Sequence, residues 1–157
     1  MTIRSSQTNL ERNGARGEIF VAELLKAIRS MNKYDSEKDM TTEDGTKVEV
    51  KTQVPWYTEN AFTLDRAKKI NFDKCMNVDR LVFVEIPTRN DVIKVYECVD
   101  RRGGWTSTTS SGRRMYCLPI SEMILIHSEV NSELARSLRT DSNSKFIKSD
   151  LLSHHTV

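Results

Sequence analysis

Apolar positions near the start of the chain recur at the spacing of an α-helix. Five side chains within residues 8–31 follow this spacing: Val21, Leu24, Leu25, Ile28 and Met31. Thr8 or Asn9 precedes them and can act as the N-cap. Because such a stripe gives a helix one apolar face, we predict a long amphipathic helix over residues 8–31.

The next pattern is typical of a β-hairpin. Residues 38–43 and 46–54 flank the dipeptide Asp-Gly at 44–45, which favours a two-residue type I′ turn because both central residues adopt positive φ. In this register the numbers of paired residues sum to 89, so Asp39 lies opposite Val50. The hairpin would bring a carboxylate close to the second strand.

Short apolar runs predict the remaining elements. Strands are expected at 60–64, 80–86, 92–99 and 115–118. The strand at 92–99 is expected to pair antiparallel with the strand at 80–86. Helices are expected at 65–76 and from a Ser121 N-cap to residue 138 or 139. Together these elements predict an α/β fold with a small mixed β-sheet flanked by helices. Residues 1–139 form one domain, and the polar residues 140–157 form a loosely held tail.

Composition restricts the class of protein. With 157 residues, 38% hydrophobic and 29% charged, and only 6 Gly and 3 Pro, the chain is neither collagen-like nor disordered throughout. It lacks the roughly 20-residue apolar run of a membrane span and the apolar region of a secretory signal. Three cysteines without a C-x-x-C pair favour reduced thiols and a cytoplasmic location.

The second strand of the hairpin carries the most informative polar residues. Strict alternation places Glu49, Lys51 and Gln53 on one face of the strand. A lone Glu-x-Lys pair is most often an ordinary surface ion pair, but Asp39 adds a second carboxylate from across the hairpin. Asp44 is assigned to the turn, whereas Asp35 and Glu37 remain alternatives to Asp39 if the register differs.

A third acidic residue lies in the first helix. Glu18 continues the apolar stripe of Val21 and Leu25, and a carboxylate buried there needs a partner or a metal ion. Gly14 and Gly17 would let this helix approach the sheet closely. The alternative is that Glu18 lies in the first turns of the helix and reaches solvent.

In this order the residues resemble the PD-(D/E)xK nuclease superfamily, whose restriction-endonuclease-like core is shared with Holliday-junction resolvases, phage exonucleases and some homing endonucleases. The resemblance covers residues 13–53 by motif and extends to about residue 76 or 86 by element order. The matching positions are Glu18, Asp39, Glu49, Lys51 and Gln53. One departure is that Lys38, and not proline, precedes Asp39.

The resemblance implies a metal-dependent DNA endonuclease that hydrolyses phosphodiester bonds at a specific site or structure. Asp39 and Glu49 would bind Mg²⁺, for which Mn²⁺ could substitute, and Glu18 would support a second metal ion or a bound water. Lys51 would orient or help to deprotonate the attacking water and stabilise the developing charge. Gln53 would contact phosphate or support a metal ligand, and the alternative is an ordinary solvent-exposed residue of the strand. A homodimer and a phage or mobile-element origin are also expected, and a phage-encoded chain would act in the host cytoplasm. The alternatives are a Holliday-junction resolvase, a non-catalytic nucleic-acid-binding protein on the same fold, and a structural or interaction domain in which the motif is a coincidence.

Basic residues in two regions would contact DNA phosphates. The net charge of +2 indicates little about binding partners. Residues 101–114, however, contain four arginines and no acidic residue, which predicts a flexible basic loop. The expected contacts are Arg66, Lys68, Lys69, Arg101, Arg102, Arg113 and Arg114. Trp105 would stack on a base. The alternatives are a packing role for Trp105 and a solvated hairpin tip for the loop.

Overall fold

The computed structural model describes residues 8–31 and 38–142. The helices are α1 (Asn9–Leu25), α2 (Lys69–Asn77) and α3 (Ser132–Thr140), with a 3₁₀ turn at Ile120–Glu122. The first strands are β1 (Ile28–Arg29), β2 (Met40–Thr41), β3 (Lys47–Gln53), β4 (Ala61–Asp65) and β5 (Arg80–Glu85). The others are β6 (Val92–Cys98), β7 (Trp105–Thr108), β8 (Arg114–Pro119) and β9 (Ile124–Val130). No helix in this part of the chain is long and apolar enough to cross a membrane.

The strands form a mixed six-stranded sheet and a separate three-stranded sheet. The larger sheet has the order β1-β2-β3-β5-β6-β9, in which β3 and β5 are parallel and the other neighbours are antiparallel. The smaller sheet is antiparallel, with the order β4-β8-β7. The predicted α/β class with a mixed sheet flanked by helices is therefore confirmed.

Strand β5 is buried on both faces and separates two apolar clusters. Val82 and Val84 pack with residues of α1 and α3 on one face. Leu81 and Phe83 face α2 and the smaller sheet, where Phe83 stacks on Phe62 at a ring-centroid distance of 4.6 Å. Because β5 is apolar on both sides, it forms the centre of a three-layered domain.

Helix α1 begins as predicted but ends earlier than residue 31. Thr8 and Glu11 form a capping box at its start. Lys26 adopts a left-handed conformation with φ of 54° and ends the helix. The chain then forms the edge strand β1, in which Ile28 pairs with Thr41 of β2. The prediction of a helix to residue 31 is wrong because Lys26 ends the helix and Ile28 pairs with β2, while Met31 is fully exposed.

The predicted hairpin exists, but its register differs by one residue. Met40 pairs with Val48, so paired numbers sum to 88 and not 89. Only Gly45 of the Asp-Gly dipeptide has positive φ, and the Gly45 N–H donates to the Thr42 carbonyl. The connection is thus a three-residue loop with a left-handed glycine, which shifts the pairing relative to a type I′ turn.

The predictions for the second half of the chain need three corrections. Ser121 does not begin a helix, because β9 pairs with β6 after the 3₁₀ turn and Asn131 caps the shorter α3. The segment 101–114 contains β7 and is not wholly a flexible loop. Asp141, in the predicted tail, forms ion pairs with two arginines of α1, whereas residues 143–157 lie outside the described part.

Candidate active site

Asp39 lies directly before strand β2 begins, beside β3. The Asp39 N–H donates to the Val48 carbonyl at 2.9 Å, and Asp39 Oδ2 accepts from the Val50 N–H at 2.9 Å. The side chain thus replaces the backbone acceptor that a longer β2 would have supplied. This bond fixes the carboxylate beside Glu49, although the predicted pairing of Asp39 with Val50 is wrong by one residue.

Glu49 is the most deeply buried polar group of the site. It is 2% exposed on the face of β3 that α2 covers, and not half-solvated as alternation alone predicts. Its Oε2 atom lies 3.3 Å from Lys51 Nζ, so the predicted proximity of Glu49 and Lys51 is confirmed. Burial, with a further contribution from the charge of Asp39, raises the pKa of Glu49 to about 7.

Lys74 completes the cluster, and the sequence reasoning missed it. Its Nζ atom in α2 lies 3.2 Å from Asp39 Oδ1 and 3.0 Å from Glu49 Oε1, with the side chain 7% exposed. Burial opposes the charge of Lys74, but the two carboxylates outweigh this and raise its pKa. A signal was present in the helical spacing of Lys68, Asn71 and Lys74, which all line the same cleft.

Glu18 and Gln53 lie in the walls of this cleft. Glu18 forms an ion pair with Arg29 at 3.2 Å, and burial, together with the charge of Asp39, raises its pKa. Gln53 accepts from the Thr63 N–H at 2.8 Å and donates to the Thr63 carbonyl at 3.0 Å. Gln53 therefore joins β3 to β4, whereas Glu18 lies close enough to Asp39 for the two charges to interact.

The cleft has a volume of about 450 Å³ and brings together all five residues of the predicted catalytic set. These are Glu18, Asp39, Glu49, Lys51 and Gln53. The cleft lies between α1 on one side and α2 and β4 on the other. The lining carries three lysines (Lys51, Lys68 and Lys74) and four acidic residues (Glu18, Asp39, Glu49 and Asp65).

Most of the basic residues predicted to contact DNA lie outside the cleft, and several have partners in the structure. Lys68 alone among them lines the cleft. Arg66 lies over the Phe72 ring, and Lys69 pairs with Asp73. Arg113 pairs with Asp65, whereas Arg102, Arg114 and Trp105 are exposed. Their contact with DNA remains a prediction.

Arg101 is part of the packing around α2. Its guanidinium donates to the carbonyls of Cys75, Met76, Val78 and Asp79 at and beyond the end of the helix. Carbonyls at a helix C-terminus lack intrahelical donors, and the half-buried Arg101 satisfies them. Arg101 thereby fixes the backbone next to Lys74.

The donor set fits one divalent cation bound by two carboxylates. Glu49 Oε1 is buried and accepts no hydrogen bond of good geometry, although Lys74 Nζ lies 3.0 Å away. Residues 8–31 and 38–142 contain no group of three or more His, Cys, Asp or Glu side chains arranged to hold a metal ion. Mg²⁺ commonly binds one or two carboxylates and takes its other ligands from water and substrate phosphate. The Asp39–Glu49 pair meets that requirement.

The raised pKa of Glu49 predicts a pH-dependent stability. Between its ordinary pKa of 4.5 and about 7, the unfolded chain is ionised while the folded protein keeps the proton. The free energy of unfolding of wild type therefore falls as pH rises through this window. Relative to that of Glu49→Gln, which has no carboxyl group at this position, it should fall by on the order of 1 to 3 kcal/mol. Urea unfolding of both proteins with chelator at pH 4.5 to 8 tests this. A pH-independent difference between them would contradict it.

No protein-family model matches the sequence, and no curated protein shows significant similarity to it. Function must therefore be inferred from the chemistry of the cleft.

Proposed function

We propose that the protein is a metal-dependent endonuclease that hydrolyses phosphodiester bonds in DNA. The observation that carries this proposal is the convergence of Asp39, Glu49 and Lys51 in one cleft. Glu49 and Lys51 share strand β3, whereas Asp39 precedes β2, and α1, β4 and α2 supply further residues of the lining. The resemblance to the PD-(D/E)xK superfamily involves the same three residues.

Each group has a role that phosphodiester hydrolysis requires. A divalent cation bound by Asp39 and Glu49 would supply charge stabilisation at a phosphate oxygen and a more acidic water. Asp39 is oriented by its hydrogen bond to the Val50 N–H. Lys51 is held by Glu49 and can place its ammonium beside the charge that develops on the phosphate. Lys68, on the wall of the cleft, can contact a neighbouring phosphate.

A homodimer agrees with this function, because two cuts in a duplex need two sites related by symmetry. Cleavage at a defined sequence, cleavage of distorted DNA and resolution of four-way junctions all use this chemistry. The form of DNA that the protein cleaves most rapidly would distinguish these three activities.

One observation favours a second function, a nucleic-acid-binding protein without catalysis. Lys74 contacts both Asp39 and Glu49, and Lys51 contacts Glu49, so two ammonium groups balance these two carboxylates without a metal ion. In that case the cleft would bind a nucleic-acid backbone through Lys51 and Lys68 only. Such a protein would bind DNA equally well with metal ion and with chelator.

The decisive test is cleavage of several DNA forms by wild type and Asp39→Asn. Supercoiled plasmid, linear duplex, single strands and a four-way junction are incubated with Mg²⁺ or with chelator. The proposal predicts Mg²⁺-dependent cleavage that Asp39→Asn abolishes. Binding of these DNAs without cleavage of any of them would favour the second function.

A further inference from the structure

The ammonium of Lys74 occupies the space between the two carboxylates. Its nitrogen lies 3.2 Å from Asp39 Oδ1 and 3.0 Å from Glu49 Oε1, two oxygens from different strands of the hairpin. Because both carboxylates are largely buried, removing them from water without a nearby cation would be costly. Lys74 therefore acts as their counter-ion.

Lys51 occupies a different position relative to the same pair. Its nitrogen contacts the other oxygen of Glu49, Oε2, and forms no ion pair with Asp39. The Lys51 side chain is also more exposed, at 28% against 7% for Lys74. Of these two lysines, only Lys74 lies where an ion shared by both carboxylates would lie.

We propose that Lys74 is a resident counter-ion that a divalent cation must displace to bind Asp39 and Glu49, so that Lys74 sets the metal affinity of the site. This inference rests on the proposed function, since it assumes that the carboxylate pair is the metal site.

Geometry and charge both require the displacement. Oxygen ligands lie about 2.1 Å from Mg²⁺, so a cation shared by Asp39 and Glu49 would take the space that the Lys74 nitrogen fills. An ammonium in contact with a divalent cation would also be strongly repelled. The nitrogen must therefore leave before or as the metal ion enters.

The displacement has to be a movement of the side chain, because the helix is fixed. Arg101 holds the carbonyls of Cys75 and Met76, directly after Lys74. The four-carbon stem of lysine has several rotatable bonds. Since Lys74 itself lines the cleft, the displaced ammonium stays where it can meet a phosphate.

Titration with Mn²⁺ in the absence of nucleic acid tests the inference without any measurement of activity. Wild type, Lys74→Met and Lys69→Met are compared by calorimetry. Lys69→Met removes the same charge from an exposed position on the same helix and serves as the control. We expect Lys74→Met to bind Mn²⁺ at least about tenfold more tightly than wild type, and Lys69→Met to stay within about twofold.

The outcomes separate failure of this inference from failure of the proposed function. In one outcome, wild type binds Mn²⁺ and Asp39→Asn removes this binding, but Lys74→Met binds Mn²⁺ no more tightly than wild type. That outcome overturns the inference and leaves the proposed function standing. If neither wild type nor Lys74→Met binds Mn²⁺, or if Asp39→Asn leaves binding unchanged, the metal site and the inference both fail.

A measurement on wild type keeps the inference testable if Lys74→Met does not fold. An amine-reactive label is added with and without saturating Mn²⁺, and each lysine is quantified by mass spectrometry. We expect Mn²⁺ to increase labelling of Lys74 several-fold while labelling of Lys69 is unchanged. Equal labelling of Lys74 in both conditions would show that the lysine stays in place, and would overturn the inference.

Discussion

Replacement of Lys51 by methionine is expected to lower the rate of Mg²⁺-dependent DNA cleavage by at least about 100-fold. Lys51 lies 3.3 Å from Glu49 and is the more exposed of the two lysines in the cluster, so its ammonium can reach a bound phosphate. Methionine keeps the length of the side chain and removes the charge. Because Lys74 still neutralises Glu49, the fold should be retained.

Single-turnover cleavage with excess protein measures this effect apart from product release. Mn²⁺ affinity should change little in Lys51→Met, which distinguishes this variant from Lys74→Met. The two substitutions form a matched pair, since each removes an ammonium that contacts Glu49. Cleavage by Lys51→Met at the wild-type rate would exclude a catalytic role for this lysine.

The Glu-x-Lys motif was predictable because strand periodicity is a local property. Two residues separated by one position lie on the same face of any strand, whatever surrounds it. Glu49 and Lys51 are therefore in contact as the sequence predicts. The burial of Glu49 was not predictable, because it depends on α2, which comes later in the chain and covers that face.

The position of Asp39 depended on the geometry of one loop. A two-residue turn and a three-residue loop of the same sequence give registers that differ by one residue. The expectation that Asp39 lies near Glu49 holds despite the wrong register, because the side chain reaches the Val50 N–H. Lys74 has helical spacing with Lys68 and Asn71, but its contact with Asp39 depends on the tertiary fold, which sequence patterns do not reveal.

The second half of the chain shows where periodicity fails. Residues 121–130 contain apolar side chains that suit a buried helix or a strand equally well. Pairing with β6 selects the strand β9, although Ile124 and Leu125 remain half-exposed at the sheet edge. Contacts with distant residues thus override the local preference.

Gly17→Ala is expected to destabilise the protein by about 2 to 4 kcal/mol, since overpacking forces neighbouring atoms to move. A methyl group at Gly17 would lie 1.7 Å from Thr52 Oγ1 and 3.0 Å from Thr52 Cβ. Helix α1 packs on β3 at this contact, so the prediction of a close approach at Gly17 is confirmed. Gly14 has no atom within 4 Å of such a methyl group, so the same prediction for Gly14 is wrong.

Gly14→Ala is therefore the matched control for Gly17→Ala. It should stabilise the protein by about 0.5 to 1 kcal/mol, because alanine favours a helix interior over glycine. Thr52→Ala alone should cost little, since Thr52 Oγ1 is buried without a hydrogen bond. In the double variant with Gly17→Ala, Thr52→Ala removes the closest contact, that of Oγ1, but leaves the Cβ atom of residue 52 in place. Urea unfolding should therefore show that part of the lost stability is restored. Equal stability of Gly17→Ala and Gly14→Ala would mean that α1 does not pack this closely on the strand of Glu49 and Lys51.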